Sequence, residues 1–351
     1  MELQSSQRSS PARSANLIFK PSFFNQPNAK LKLQDNHLNQ ALPLITPQAK
    51  RILFITLSNI GDAILTTPTL EALHLQYPDA VIDIVCDPRS EIIFKYCPYR
   101  GEIFLKHKKT GWRGTFALIR QLRRQQYDIA VDLRSDGLLW LLRAKQRAFK
   151  LANRLSLNLH SVEKHFAAVK RLVINTSPPM PKVWLSDKER EAANLILGAH
   201  RDQRILALGI GANFAGKIWP VEHFQALSDV IKNQFDVILL LGGSGDVDLA
   251  AAFKSKCALP VLDCCGKTNL LTTAALLEHA SYFVGNDSGL GHLASALGTP
   301  SITVFGIGQP HRYRPWGDKA LWLQDAGHNI ANISAKMVAK KIVSGLWIRF
   351  Q

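Results

Sequence analysis

From residue 50 onward the chain alternates short, almost unbroken apolar runs with longer stretches of helical period. RILFITL (51–57), AVIDIVC (80–86), EIFL (102–105) and DIAVDLR (128–134) read as strands. Residues 63–76, 112–126, 137–147 and 160–173 read as helices, with Pro68 an awkward residue inside the first. NTSPPMPKVWLS (175–186) then breaks the pattern with three prolines and reads as a linker. A second series follows. Its strands are RILALGI (204–210), DVILLLGG (236–243), LPVLDC (259–264), YFVG (282–285) and SITVFG (301–306). Helices are expected at 187–199, 221–233, 246–256, 269–279 and 289–297, and a closing one at about 334–347. Strands this apolar are buried on both faces, and strand–helix alternation makes them parallel. The pattern predicts an α/β protein built from two Rossmann-like domains that face each other across a hinge. The expected division is an N-terminal extension over 1–49, an N-terminal domain over 50–178 and a C-terminal domain over 179–335. A closing helix over 336–351 is expected to pack back on the N-terminal domain.

In open α/β sheets ligands sit beyond the carboxyl ends of the strands, so the loops after strands are where chemistry is sought. The first is SNIGD (58–62), which has only Gly61 and so lacks a dinucleotide fingerprint. Asp62 there reads either as a helix cap or as a general base at the mouth of a cleft. The second is GIGANFAGKIWP (209–220), where Lys217 precedes a helix that Pro220 opens. Lys217 reads as a point charge for a diphosphate, or as an ordinary exposed lysine above Trp219. The third is LGGSGDVD (241–248), in which Asp246 or Asp248 either caps a helix or accepts hydrogen bonds from ribose hydroxyls. The fourth is NDSG (286–289). Ser288 and Gly289 start a helix whose free N–H groups favour an anion by about 0.3–1 kcal/mol. Asp287 disfavours a bare phosphate and suits neutral sugar hydroxyls, while His292 reads as a buried structural residue or a member of the same site. Together the loops describe a nucleotide-diphosphate donor held in the second half and a carboxylate facing it from the first.

Charge adds a partner class. The formal net charge is +16, and residues 100–154 hold fourteen Lys/Arg against four Asp/Glu. Solvated helix faces explain part of this; a basic face for an anionic partner explains it too. Nucleic acid is the weaker partner, because no binding motif or regular aromatic interleaving accompanies the charge; a phosphorylated glycolipid or a membrane surface remains. The five cysteines form no CxxC pair, which suits buried thiols in a reducing cytoplasm. No apolar run is long enough to span a bilayer. Residues 1–49 carry only Glu2 and Asp35 as acids and show no amphipathic Arg-rich helix, so they read as a flexible extension rather than a transit peptide.

Four ordered segments carry a resemblance: SNIGDAILTTPTLEAL, GKIWP, LGGSGD and VGNDSGLGHLASALGTPSITVFG. They resemble glycosyltransferase family 9, the ADP-heptose:lipopolysaccharide heptosyltransferases, over about residues 50–345 and not over 1–49. The resemblance implies a GT-B fold and an inverting, metal-independent transfer of a heptose from an ADP-sugar to an anionic lipopolysaccharide core acceptor. It implies no cofactor beyond the donor substrate, a cytoplasmic location and peripheral contact with the inner membrane surface. Carried over by position, Asp62 is the catalytic base, Lys217 the phosphate-binding lysine, and Ser288 and Gly289 hold the donor diphosphate. Asp287 and His292 fall beside the donor, and Asp246 matches the ribose-binding acid, with Asp248 competing for that role. The threonines that some members carry four and five places before the lysine are Asn213 and Ala212 here. The only Asp-x-Asp, at 246–248, falls in this ribose loop and not in a metal site. A nucleotide-sugar binder would need the donor loops but not Asp62, and a GT-B-like epimerase or hydrolase would need no acceptor.

Overall fold

The computed structural model describes residues 48–107, 111–134, 137–150 and 159–347. The expected extension lies outside these residues up to position 47, as do the last four residues of the expected closing helix.

Five strands form the first sheet: β1 (Arg51–Ile55), β2 (Val81–Cys86), β3 (Arg100–Leu105), β4 (Tyr127–Asp132) and β5 (Ala144–Phe149). They lie in the order β3-β2-β1-β4-β5, every pair parallel. The helices of this half are α1 (Ile60–Ile64), α2 (Thr67–Gln76), α3 (Glu91–Phe94), α4 (Gly111–Leu122) and α5 (Ser161–Ala167). Six strands form the second sheet: β6 (Ile205–Gly209), β7 (Val237–Leu241), β8 (Val261–Asp263), β9 (Tyr282–Asn286), β10 (Ser301–Phe305) and β11 (Ala320–Gln324). Their order is β11-β10-β9-β6-β7-β8, again all parallel. Around them run α6 (Asp187–Leu197), α7 (Val221–Ile231), α8 (Val247–Lys254), α9 (Leu270–His279), α10 (Gly289–Ala296), α11 (Pro310–Tyr313) and α12 (Ala335–Trp347).

Each sheet starts at its middle and reverses direction of growth there, between β1 and β4 in one and between β6 and β9 in the other. Such a reversal leaves a crevice at the carboxyl ends of the two strands. The interior explains why these segments are strands: every residue of β6, β7, β9 and β10 is buried. Helices on both faces exclude water from them, as a parallel sheet requires.

Four expectations need correction. The helix read over 63–76 is two helices. The hydroxyls of Thr66 and Thr67 donate back to the carbonyls of Ala63 and Ile64, both at 2.7 Å, and the chain restarts at Thr67. Pro68 therefore sits in a first turn, where its missing N–H costs nothing. The helix read over 137–147 is a short 3-10 turn at Leu138–Leu141 followed by β5. As an edge strand β5 exposes Lys145 and Arg147, a device that discourages edge pairing and hides the strand pattern. β11 went unread for the same reason, since as an edge strand it buries no residue fully. Over its described residues the closing helix makes its main packing against α7 and β10 of the second half rather than on the first half. Its Val338, Ala339 and Ile342 share a core with Trp219, Phe224 and Leu227, so its apolar stripe finds its partner there.

Candidate active site

The loop after β1 ends in α1, with Asn59 at the capping position and Asp62 in the first turn. Asp62 is not the cap; its carboxylate accepts from Nδ2 of Asn59 at 3.0 Å. Arg134, just past β4, donates to Oγ of Ser58 at 2.7 Å, while its own N–H is held by Asp132 at 2.8 Å. The SNIGD loop is thus tied across the point where the first sheet reverses.

In the second half one buried amide organises the loops after β6 and β9. Nδ2 of Asn286 donates to the carbonyl of Ile210 at 2.9 Å, and its Oδ1 accepts the N–H of Trp219 at 2.9 Å. The end of β9 is thereby pinned to the loop after β6. Trp219 is fully buried and donates through Nε1 to the carbonyl of Ile333 at 2.7 Å. Lys217 emerges from this anchored turn, and its ammonium meets the carboxylate of Asp287 at 2.5 Å. The sequence assigned these two residues to different tasks; in the structure they neutralise one another. Ser288 follows as the capping residue of α10, yet its hydroxyl makes no capping bond and is buried without a protein partner. Gly289 supplies the first free N–H of that helix. Asp246 lies in a 3-10 turn after β7, accepts the Gly243 N–H at 2.8 Å and rests directly over Gly211, where no side chain would fit. It acts as the cap of its own turn while facing the β6 loop; Asp248 is exposed on the first turn of α8.

The two halves meet where α1 and α10 begin. Ile60 lies against Gly289, and the His292 ring is stacked so close to Gly61 that an added Cβ would come within 2.7 Å of its Cδ2. His292 is buried, and its Nδ1 has no protein partner. Burial pushes its imidazole below the ordinary value; Asp287 and Asp62 pull the other way, and Lys217 reinforces burial. A neutral imidazole therefore packs on the turn that carries Asp62, from the helix that follows Asp287 and Ser288.

Two further histidines and a lysine were not read from the sequence. His160 caps α5: its Nδ1 accepts the Val162 N–H, which leaves Nε2–H to donate to the Arg314 carbonyl at 2.9 Å, a bond between the halves. His165 donates from Nδ1 to the Leu65 carbonyl at the end of α1, so its Nε2 accepts from Lys150 at 3.2 Å. Burial holds both imidazoles down to about 3. Lys150 is itself lowered by burial; Asp62 opposes that shift, and Lys164 and Arg312 add to it. A lysine at the end of β5 thus shares the field of Asp62 with cations from α5 and α11. No motif marks it, because its neighbours are far away in the chain. Among the described residues no group of His, Cys, Asp and Glu is placed to hold a metal ion.

Comparison with known proteins agrees with this geometry. The profile of glycosyltransferase family 9 (heptosyltransferase) matches residues 115–342, well over half of the chain. Lipopolysaccharide heptosyltransferase 3 of Escherichia coli is 26% identical over 301 residues, covering 76% of this chain and 86% of its own. Among solved structures, a family 9 glycosyl transferase from Veillonella parvula superposes with a TM-score of 0.75 at 23% identity, over 85% of this chain and 97% of that one. The ADP-heptose lps heptosyltransferase II of E. coli gives 0.71 at 20% identity, over 86% and 100%. These likenesses show the fold: GT-B, two Rossmann-like domains facing across a cleft.

Proposed function

Because the chain belongs to glycosyltransferase family 9, and is a glycosyltransferase, we propose that it moves a heptose from an ADP-sugar to an anionic lipopolysaccharide core acceptor, with inversion and without a metal. Relatives named as lipopolysaccharide heptosyltransferases, and a solved relative named for ADP-heptose, support the donor and acceptor classes. In this reading the acceptor hydroxyl gives its proton to Asp62 as its oxygen bonds to the anomeric carbon. The bond from that carbon to the diphosphate oxygen breaks on the opposite face, and ADP leaves with the electron pair. Negative charge grows on the departing diphosphate, and Lys217, the Ser288 hydroxyl and the Gly289 N–H meet it there. These groups do the neutralising that a metal would otherwise do. Asp287, relieved as the sole partner of Lys217, turns to the donor sugar, Asp246 to the ribose, and the open Nδ1 of His292 to the donor between them. The protein works in the cytoplasm, in peripheral contact with the membrane that carries its acceptor.

One observation carries the proposal: the first turn of α1, with Asp62, is packed against the first turn of α10, with Ser288 and Gly289. The test is binding of ADP-heptose with EDTA present, followed by transfer to a lipopolysaccharide core and determination of the product anomer. Lys217→Ala is expected to lose donor binding, while Asp62→Asn keeps it and loses transfer by about 10²–10⁴-fold. Absence of ADP-sugar binding, or full transfer by Asp62→Asn, would overturn the reading.

A further inference from the structure

Helix α4 is unusual for a surface helix. Leu118, Ile119 and Leu122 face the core, as expected. The flank beside Ile119, however, exposes Trp112 and Phe116, at 69% and 64%. The two are one turn apart, and their rings meet edge to face at 6.0 Å. The 3-10 turn after β4 adds Trp140 and Leu141, exposed at 73% and 54%. Trp140 is braced by stacking on Phe149 at the end of β5. Leu141 closes a shallow depression of about 320 Å³ against Phe116, Ile119, Arg120, Arg123 and Arg124, so the helix and the turn make one face.

The charge on this face has one sign. Helix α4 contains no acidic residue; Arg113 and Arg120 are exposed on it, and Arg123 and Arg124 are exposed just past its end. Exposed apolar patches on soluble proteins mark docking surfaces. Trp, Phe and Leu beside arginines, on a helix lying flat on the surface, is the chemistry of a membrane interface, where rings enter the headgroup layer and cations meet anionic lipid. A nucleic-acid surface would want the cations without the aliphatic depression. The face spans the sheet: α4 runs back from the carboxyl edge after β3 to the amino edge before β4, so its Trp112 end lies toward the edge of the Asp62 loop, and its Arg120 end, with the turn that leads into β5, toward the other.

We propose that the face formed by α4 and the turn at Leu138–Leu141 docks on an anionic lipid bilayer and so keeps the chain at the surface that carries its acceptor. The purpose rests on the glycolipid-acceptor reading; the docking itself does not. The test is co-sedimentation of the full chain with vesicles of phosphatidylethanolamine and phosphatidylglycerol at low salt. Two variants are compared: Trp112→Ser with Phe116→Ser and Leu141→Ser, and Arg120→Glu with Arg123→Glu and Arg124→Glu. Each is expected to lower vesicle affinity by about tenfold or more while ADP-heptose binding, measured in parallel, stays unchanged. Wild-type protein that does not sediment, or variants that sediment equally well, overturns the proposal. So does a wild-type chain that prefers duplex DNA to the vesicles through the same arginines, or one that uses this face to pair with its own copy. Vesicle binding without ADP-heptose binding would leave this inference standing and remove the functional reading; the reverse would do the opposite.

Discussion

Gly61→Ala tests the contact on which the site depends. The new Cβ would lie 2.7 Å from Cδ2 and 3.2 Å from Nε2 of the His292 ring. Carbon atoms rest at about 3.5–4.0 Å, so the ring or the helix start must retreat by roughly 1 Å. The ring is buried and α10 is packed on β9 and β10, which leaves separation of α1 from α10 as the easiest relief. Overpacking of this kind costs about 1–3 kcal/mol, and replacing glycine inside a helix returns up to about 1 kcal/mol. Stability should therefore change little. Catalysis should not be spared, because the proposed base, Asp62, is the next residue, and a displacement of about 1 Å in a reacting group costs about 10²-fold. The assay is steady-state transfer beside urea denaturation. The expected result is kcat down about a hundredfold with a nearly unmoved unfolding midpoint. The double variant with His292→Ala removes the clash, so it should be no slower than His292→Ala alone. A Gly61→Ala protein with kcat within about twofold of wild type would refute the claim that this contact sets the distance between base and donor.

Other outcomes follow from named bonds. Asn286→Ala leaves the Trp219 N–H and the Ile210 carbonyl buried without partners, so unfolding free energy from urea titration should fall by about 2–4 kcal/mol, and donor affinity should fall with it. Lys150→Met removes a cation that shares the field of Asp62; the KM for an anionic acceptor should rise roughly tenfold while ADP-heptose affinity stays constant. His160 and His165, held near 3 when folded, take up protons at the ordinary value of 6.5 once unfolded. Their contribution to stability is complete above pH 6.5 and is lost as pH falls from there toward 3, by about 1.4 kcal/mol per pH unit for each. Urea titrations across that window should show the slope, and His165→Leu should reduce it; a flat profile would contradict neutral burial.

The central strands were legible because burial on both faces leaves nothing in them but apolar residues, as in VILLL of β7. The edges were not. Ala144–Phe149 and Ala320–Gln324 mix charge or polarity with apolar residues because one side meets water, and a mixed run of five or six residues fits helix and strand alike. The placement of Asp62, Lys217, Asp287, Ser288 and Gly289 in the loops and helix starts after strands was legible, because there local sequence decides position. Lys150, His165 and Asn286 were invisible for the opposite reason: their partners are Leu65, Trp219 and Ile210, brought near only by the closed fold. The pairing of Lys217 with Asp287 was equally hidden, since seventy positions separate them.

That pairing has a consequence for selectivity among anions. The ammonium of Lys217 does not wait bare for a ligand; a carboxylate from its own chain already occupies it. Any anion that enters competes with Asp287 and is repelled by it. Chloride or a single phosphate offers too little in exchange. In the proposed donor mode a diphosphate meets both the ammonium and the start of α10, and gains from two groups at once. In that mode the incumbent carboxylate works as a threshold, which an anion with two points of attachment passes more easily than an anion with one.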